Sequence, residues 1–332
     1  MAVTALTKSY VRTAKKGAVW RDMIIIAGVL LALTPILAIH RTTEFMIFCI
    51  FVMSFDLLYG YMGRLSFGQM LYLGTGVYVS TLFSLHISPN PILSMLAGIA
   101  GGAIVAGILG LIVARLSDAP FALTNLAFNQ VGFFLIGSAF QTVTHGEDGI
   151  SCGVEPWGFL DFANEYVAWG FVLACLLFTF FVLKTLTSSS YGILIRSIKE
   201  NEVRVKFLGY DIFFYKWLTF VISGSFAALA GTLYTLYIGF VSPVFIHPLS
   251  NVEVIFATLI GGAGNLYGAL AGGVFFMVLR DSLSTYIPQW EWILGLLLLI
   301  VVFYLREGIT GFIKSMRGTI AQKMAQRKVG EA

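Results

Sequence analysis

Apolar runs of about 20 residues, separated by short polar stretches, follow one another along nearly the whole chain. Each run is continuous and shows no alternation. That gives it the length of a helix crossing a hydrocarbon core of roughly 30 Å. In lipid the backbone must satisfy its own hydrogen bonds, which leaves helices or a closed barrel, and continuous runs decide for helices. The pattern predicts segments at about 23–39, 44–60, 65–85, 91–114, 121–140, 166–183, 217–239 and 252–262, then an apolar stretch to about 280 and a last helix at 291–305. The expectation is an all-α polytopic fold with about ten transmembrane segments.

Two of these segments carry unusual glycine. Gly68, Gly74 and Gly76 interrupt 65–85, and Gly261, Gly262, Gly264, Gly268, Gly272 and Gly273 follow 252–262. Both are expected to be broken or re-entrant, because irregular backbone is tolerated in a membrane where protein surrounds it. The echo between GRLSFG at 63–68 and GNLYG at 264–268 hints at a duplicated half, and packing glycine accounts for it equally well.

Composition agrees with the pattern. Of 332 residues, 58% are hydrophobic and 11% charged, less than half the roughly 25% of a soluble domain. Cys49 and Cys175 fall inside predicted helices and Cys152 stands in a loop, so there is no disulfide framework. The basic N-terminal tail leads into an apolar run without a small-residue cleavage site, which reads as a retained first helix. The chain divides into a basic tail at 1–22, a membrane domain at 23–305 and a second basic tail at 306–332.

Charge then orients the chain. With ten segments and the N-terminus inside, 19 of the 21 Lys and Arg lie on the inner side, leaving Arg41 and Arg280 outside. Meanwhile Glu147, Asp148, Glu155, Asp161 and Glu165 collect in one outer loop at 141–165. This asymmetry predicts cytoplasmic N- and C-termini. The longest inner loop, 188–215, is basic and helix-like. Asn201 is placed to cap a short helix with Glu202 in its first turn, Gly209 to end it, and Val203 and Phe207 share one face at i and i+4.

The chemistry of the chain is mostly one of exclusion. There is no GxxxxGK[ST], no HExxH and no Cys/His metal spacing. His40, His86, His145 and His247 all fall at predicted outer helix ends, and His145 with Asp148 reads as a solvated loop pair, so no nucleophile–base pair for a membrane enzyme emerges. Only Asp56 and Glu253 could lie within spans, both toward an end, which argues against proton or sodium coupling. The polarity inside the spans is neutral: Gln69, Thr124, Asn125, Asn129 and Gln130. Such groups either line a solute passage or form interhelical hydrogen bonds, worth about 0.6 kcal/mol on average in membranes. Both readings stand at this stage.

Four stretches then carry a resemblance. They are GRLSFGQMLYLGTGVYVS (63–80), FALTNLAF (121–128) with HGEDGIS (145–151), YGILIRSIKENEVRVKFLGYDIFFYKWLTFVISGSFAALAGTLY (191–234) and IGFVSPVFIHPLSNVEVIFATLIGGAGNLYGALAGG (238–273). Together and in this order they resemble the permease subunits of branched-chain amino-acid ABC importers, of the LivM type. The resemblance implies a transport subunit and not an enzyme, paired with a second related permease in the bacterial inner membrane and surrounded by membrane lipid. It implies two cytoplasmic ATPases, which hold the ATP and Mg, and a periplasmic solute-binding protein. No cofactor or metal on this chain and no nucleic-acid partner is expected.

By the same resemblance, Arg196, Glu200, Asn201, Glu202 and Gly209 fall to the ATPase coupling loop, joined by Val203 and Phe207 on their shared helix face, while the neutral polarity of the spans makes Gln69, Thr124, Asn125, Asn129 and Gln130 the candidates for the translocation path. Glu147, Asp148, Glu155 and Asp161 fall to contact with the binding protein. The chain departs from the family in Val203, Arg204, Val205 and Lys206, which stand where small residues are expected, and in having no acidic residue near Asn129 and Gln130. The family also takes urea, short amides and aromatic carboxylates, so the resemblance carries no single cargo. The rival from a different class is a stand-alone secondary carrier or channel.

Overall fold

The computed structural model describes residues 16–152 and 161–286, with isolated positions between 292 and 308. The expected segment at 291–305, both outer portions of the tails and Glu155 therefore lie outside the described residues, wholly or nearly so. The helices in chain order are α1 (Lys16–Leu37), α2 (Ile39–Asp56), α3 (Gln69–His86), α4 (Pro91–Val113), α5 (Asp118–Phe134), α6 (Gln141–Thr144) and α7 (Glu165–Ser188). They continue with α8 (Ser190–Glu200), α9 (Glu202–Phe207), α10 (Ile212–Ile238), α11 (Asn251–Gly261) and α12 (Leu266–Tyr286). Single π-helical turns extend α2 through Leu57–Tyr61 and α5 through Leu135–Ala139.

Local chemistry explains several boundaries. The Asn90 side chain accepts from the amides of Ile92 and Leu93 with Pro91 at the first helical position, Asn164 accepts from Tyr166, and Asp211 accepts from Phe214. Gly239 closes α10 in the left-handed conformation. Threonines inside the apolar helices return their hydroxyls to the preceding turn, as in Thr81 to Val77 O at 2.8 Å and Thr258 to Val254 O at 2.8 Å.

Among the described residues, six helical stretches are long and apolar enough to cross a membrane: Ile39–Tyr61, Pro91–Val113, Asp118–Ala139, Glu165–Ser188, Ile212–Ile238 and Leu266–Tyr286. The protein is thus an all-helical, multi-pass membrane protein. Helix α3 falls outside that set because it carries Gln69, Thr75, Ser80, Thr81 and Ser84, and its position allows it to. It packs between α4 and α10, with Tyr72, Leu73 and Val77 buried. Helix α11, with 11 residues, is about 16 Å long and cannot cross by itself.

The centre of the protein is α2, buried from Phe45 to Leu58 against α7, α10, α11 and α12. Around it, α3, α4 and α10 form a second close-packed set. A methyl group at Gly231 would overlap the Leu73 carbonyl oxygen, so glycine is what lets α10 lie against α3. Trp217 donates across to the Gly107 carbonyl at 2.9 Å, and the Phe220 ring meets Tyr72 and Phe121 edge-on at 5.3 and 6.0 Å. The outward faces of α4 and α5 expose Ile104, Ile108, Leu123 and Phe134, the apolar surface that lipid covers.

Three features depart from the sequence expectation. The helices flanking the basic loop run further than hydrophobicity alone suggests, α7 to Ser188 and α10 from Ile212, and the remainder holds α8 as well as the expected short helix. Amphipathic α8 buries Gly192, Ile195 and Ile198, a helical spacing visible in the sequence but masked by its charges. Finally, Ile150–Ser151 and Phe240–Val241 pair as two short antiparallel strands, β1 and β2, tying the loop after α6 to the end of α10.

Candidate functional site

The polar residues inside this apolar body gather in two places. The first is where α8 and α9 meet the ends of α2, α5 and α10. Asn201 leaves the helical region, and its side chain accepts from the Arg204 amide, starting α9 with Glu202 in its first turn. The Glu202 carboxylate is thereby aimed at the membrane body. It accepts from Lys216 Nζ at 2.6 Å and from the Arg64 guanidinium, which also donates to Asp118 at 2.6 Å. Arg64 and Lys216 are buried, 7% and 5% exposed, so each needs this carboxylate. Burial pushes the Glu202 carboxyl upward, but the hydrogen bonds and charges of Lys216 and Arg64 outweigh it and hold the group below the ordinary glutamate range.

Beside this node the two glycine-bearing links come together. Gly264, in a left-handed conformation open to glycine, packs on Gly60 and donates its amide to Asp56 at 2.7 Å. Lys199 of α8 donates to the Gly60 carbonyl at 2.8 Å, and the Arg196 guanidinium lies 4.7 Å over the Tyr61 ring. Of the residues assigned to the coupling loop, Arg196, Asn201 and Glu202 thus bind within the protein. Val203 and Phe207 project outward, 63% and 87% exposed, and Glu200 is exposed as well. Val205 on the opposite face is buried, and Gly209, at positive φ, closes α9 with its amide on the Lys206 carbonyl.

The second gathering lies inside the bundle. Gln69, at the start of α3, donates to Ser223 of α10 at 2.9 Å and to Ser54 of α2 at 3.3 Å, while Ser223 donates to the Ser54 carbonyl at 2.6 Å. Near the middle of α5, Asn129 donates to the Ile246 carbonyl at 2.7 Å and accepts from Asn251 at 2.8 Å. Asn251 in turn accepts from the Met70 amide at 2.9 Å. One amide pair therefore joins α5, the first turn of α11 and the first turn of α3. Asn125 is buried and donates to the Phe121 carbonyl in its own helix at 2.8 Å. Thr124 is half-buried and Gln130 is exposed on the outer face of α5. The five path residues are not brought to one surface: three turn inward and Gln130 turns away.

At the opposite end, Glu147 and Asp148 are exposed beside β1, and Asp161, half-buried, accepts from the Ala163 amide at 3.0 Å. No group of His, Cys, Asp and Glu with the makings of a metal site occurs among the described residues.

Sequence reasoning missed Arg64 and Lys216 as partners of Glu202, Asp118 as the second carboxylate on Arg64, and Asn251 as partner of Asn129. The signals were present. Arg64 is the one basic residue in the link between two apolar segments, and Asn251 is an amide opening an apolar run. Pairing them requires knowing which links meet in space.

Comparison with known proteins agrees with this architecture. The family described as branched-chain amino acid transport system / permease component matches residues 37–303. A probable branched-chain amino acid transport permease, LivM, of Methanocaldococcus jannaschii is 26% identical over 318 residues, covering 80% of this chain and 90% of its own. The LivM permease of the high-affinity branched-chain amino acid system of Escherichia coli K12 is 24% identical over 293 residues, covering 80% and 68%. The fructose import permease FrcC of Rhizobium meliloti is 29% identical over 239 residues, covering 66% and 64%. No solved structure matches. With most of its length inside the family match, and with the glycine-bearing links and the polar loop both within it, this chain belongs to the branched-chain amino acid transport system permease family.

Proposed function

We propose that this chain is one membrane-spanning half of an ATP-driven importer in the bacterial inner membrane, carrying a small organic solute, a branched-chain amino acid or a related amino acid or carboxylate. It is a transport subunit and not an enzyme. Its partners are a second related permease, two cytoplasmic ATPases that hold ATP and Mg, and a periplasmic solute-binding protein. Ten segments with both termini cytoplasmic give the path of the chain. Glu147, Asp148, Glu155 and Asp161 form the acidic side that meets the binding protein. Cargo stays broad because a fructose permease stands among the relatives.

The observation that carries this reading is the two-faced build of α9. Outward, Val203 and Phe207 are large apolar residues exposed in a basic segment, the form of a short helix that enters a groove on another protein. Inward, Glu202 grips Arg64 and Lys216. Arg64 leads through the Gly63–Gly68 link into α3, and Lys216 belongs to α10, so a displacement of α9 reaches two of the three helices, α3, α4 and α10, of the second close-packed set. Closure of the ATPase pair would move this helix, and α3, α5 and α11 would shift around the Asn129–Asn251 contact between two openings. Of the five path candidates, the inward-facing Gln69, Asn125 and Asn129 are the side chains this motion would open toward the solute, with Thr124 beside them, and Gln130 on the outer face stays outside the path.

The test is purification with the ATPases encoded beside it, followed by reconstitution with the binding protein. Expected are co-purification and solute-dependent ATP hydrolysis, both lost in Phe207→Glu. Uphill uptake by the chain alone along an ion gradient would support instead the stand-alone carrier and overturn this reading.

A further inference from the structure

Between α2, α3, α10, α11 and α12 lies a cavity of about 320 Å³. It opens at the end that carries β1 and β2. Its depth follows from exposure: Phe51, Leu73 and Met70 at the floor are at most 8% exposed, whereas Glu44, Glu253 and Arg280 at the mouth are 24–39% exposed. The floor is mostly apolar and reaches the first turn of α3, at Met70, and the residue preceding α11, Ser250, beside the Asn129–Asn251 contact. The mouth is ionic: among the described residues Glu44, Glu253 and Asp281 face the lining guanidinium of Arg280, which donates to Glu253 at 2.9 Å, and Arg41 acts on Glu44 from nearby. The Nε2 of His40 lies 3.3 Å from Glu44 at the outer edge.

We propose that this cavity is a solute-binding site on the permease itself, taking a small molecule with an ammonium head and a compact apolar body. Three features select that class. The volume is at the small end of ligand pockets, which run from about 300 to 1,000 Å³. The deep walls are mostly aliphatic and aromatic carbon, with Tyr234 and Ser250 as the polar side chains among them, which leaves most hydroxyls of a polyol buried without partners. At the mouth, the carboxylates of Glu44, Glu253 and Asp281 outnumber the guanidiniums of Arg280 and of Arg41, which acts on Glu44 from nearby, so the balance favours a cation, and an anion would have to compete with Glu253 for Arg280. The floor's contact with the start of α3 and of the short α11 lets occupancy bias the position of both. The ligand is cargo only if the transport reading above is right, and the inference rests on that reading to this extent.

The experiment uses the full chain assembled with its partner permease and ATPases in lipid nanodiscs, without binding protein. Three probes share one branched apolar body: isoamylamine as the cation, isocaproamide as the neutral form and isocaproate as the anion. Equilibrium binding is expected to rank the amine first. Glu44→Gln is expected to weaken the amine about tenfold, as loss of a charge-assisted hydrogen bond gives, and to leave the amide unchanged. Leu73→Trp, which fills the floor, is expected to abolish binding of amine and amide alike. ATP hydrolysis by the assembled complex shows that each variant is folded. Tightest binding by isocaproate, no binding by any probe, or amine binding indifferent to both variants would overturn the site while leaving ATP-driven import standing. Failure of the ATPases to assemble, with amine binding to the chain intact, would overturn the import reading and leave the site.

Discussion

The Arg64 guanidinium, in the link between α2 and α3, is bonded to the Glu202 carboxylate in the first turn of α9, 138 residues away in sequence. Arg64 is buried, so it is held by carboxylates or left as an uncompensated charge. The pair makes the loop helix part of the membrane body and not an appendage.

The first prediction concerns transmission through this pair. Arg64→Gln leaves Glu202 with Lys216 and cuts its bond to the α3 link. ATPase binding should survive, while solute-dependent hydrolysis should fall about tenfold, an effect of roughly 1.4 kcal/mol. The charge-reversed double variant Arg64→Glu with Glu202→Arg should recover part of the loss. Hydrolysis unaffected by Arg64→Gln would remove Arg64 from the coupling route.

The second concerns pH. The folded-state value of Glu202 is depressed, so its contribution to stability is complete above the unfolded value, about 4.3, and is lost as pH falls through the folded value. Thermal unfolding in detergent should therefore show a larger drop from pH 7 to about pH 3 for the wild type than for Glu202→Gln. Equal drops would show that the carboxylate is not stabilised by its two cations.

The two faces of α9 should separate stability from assembly. Val205→Ala, on the buried face, should cost roughly 1–3 kcal/mol of stability. Phe207→Ala, on the exposed face, should leave the melting temperature within error and weaken co-purification of the ATPases. Melting temperature and pull-down yield on the same preparations decide it. A destabilised Phe207→Ala would place that ring inside the fold.

The amide contact inside the bundle should be worth more than the polar residues around it. Asn251→Ala strips a partner from Asn129 and from the Met70 amide, both buried, and should cost about 1–3 kcal/mol per orphaned group. Gln130→Ala, on the outer face of α5, should cost little. Comparable losses in a chemical unfolding series would mean that the Asn251 contact carries no special weight.

Read without a structure, the chain declares its solvent. Runs of about 20 apolar residues, the capping Asn201 and the positive-φ Gly209 all act through neighbours in sequence or through the bilayer, and both are legible from order alone. Helices α2, α4, α5, α7, α10 and α12 accordingly lie close to where periodicity puts them. Tertiary structure decided what each polar residue is for. Gln69 and Asn129 look alike as amides in apolar runs until Ser223 and Asn251 are seen beside them, and Gln130, one residue on, turns to the other face because a helix rotates about 100° per residue. Glu202 reads as a surface charge until two buried cations from distant links close on it. Hydrophobicity is a property of a segment, and a sequence lists segments. An ion pair or an amide bond is a property of two segments, and their meeting is set by which glycines let which helices touch.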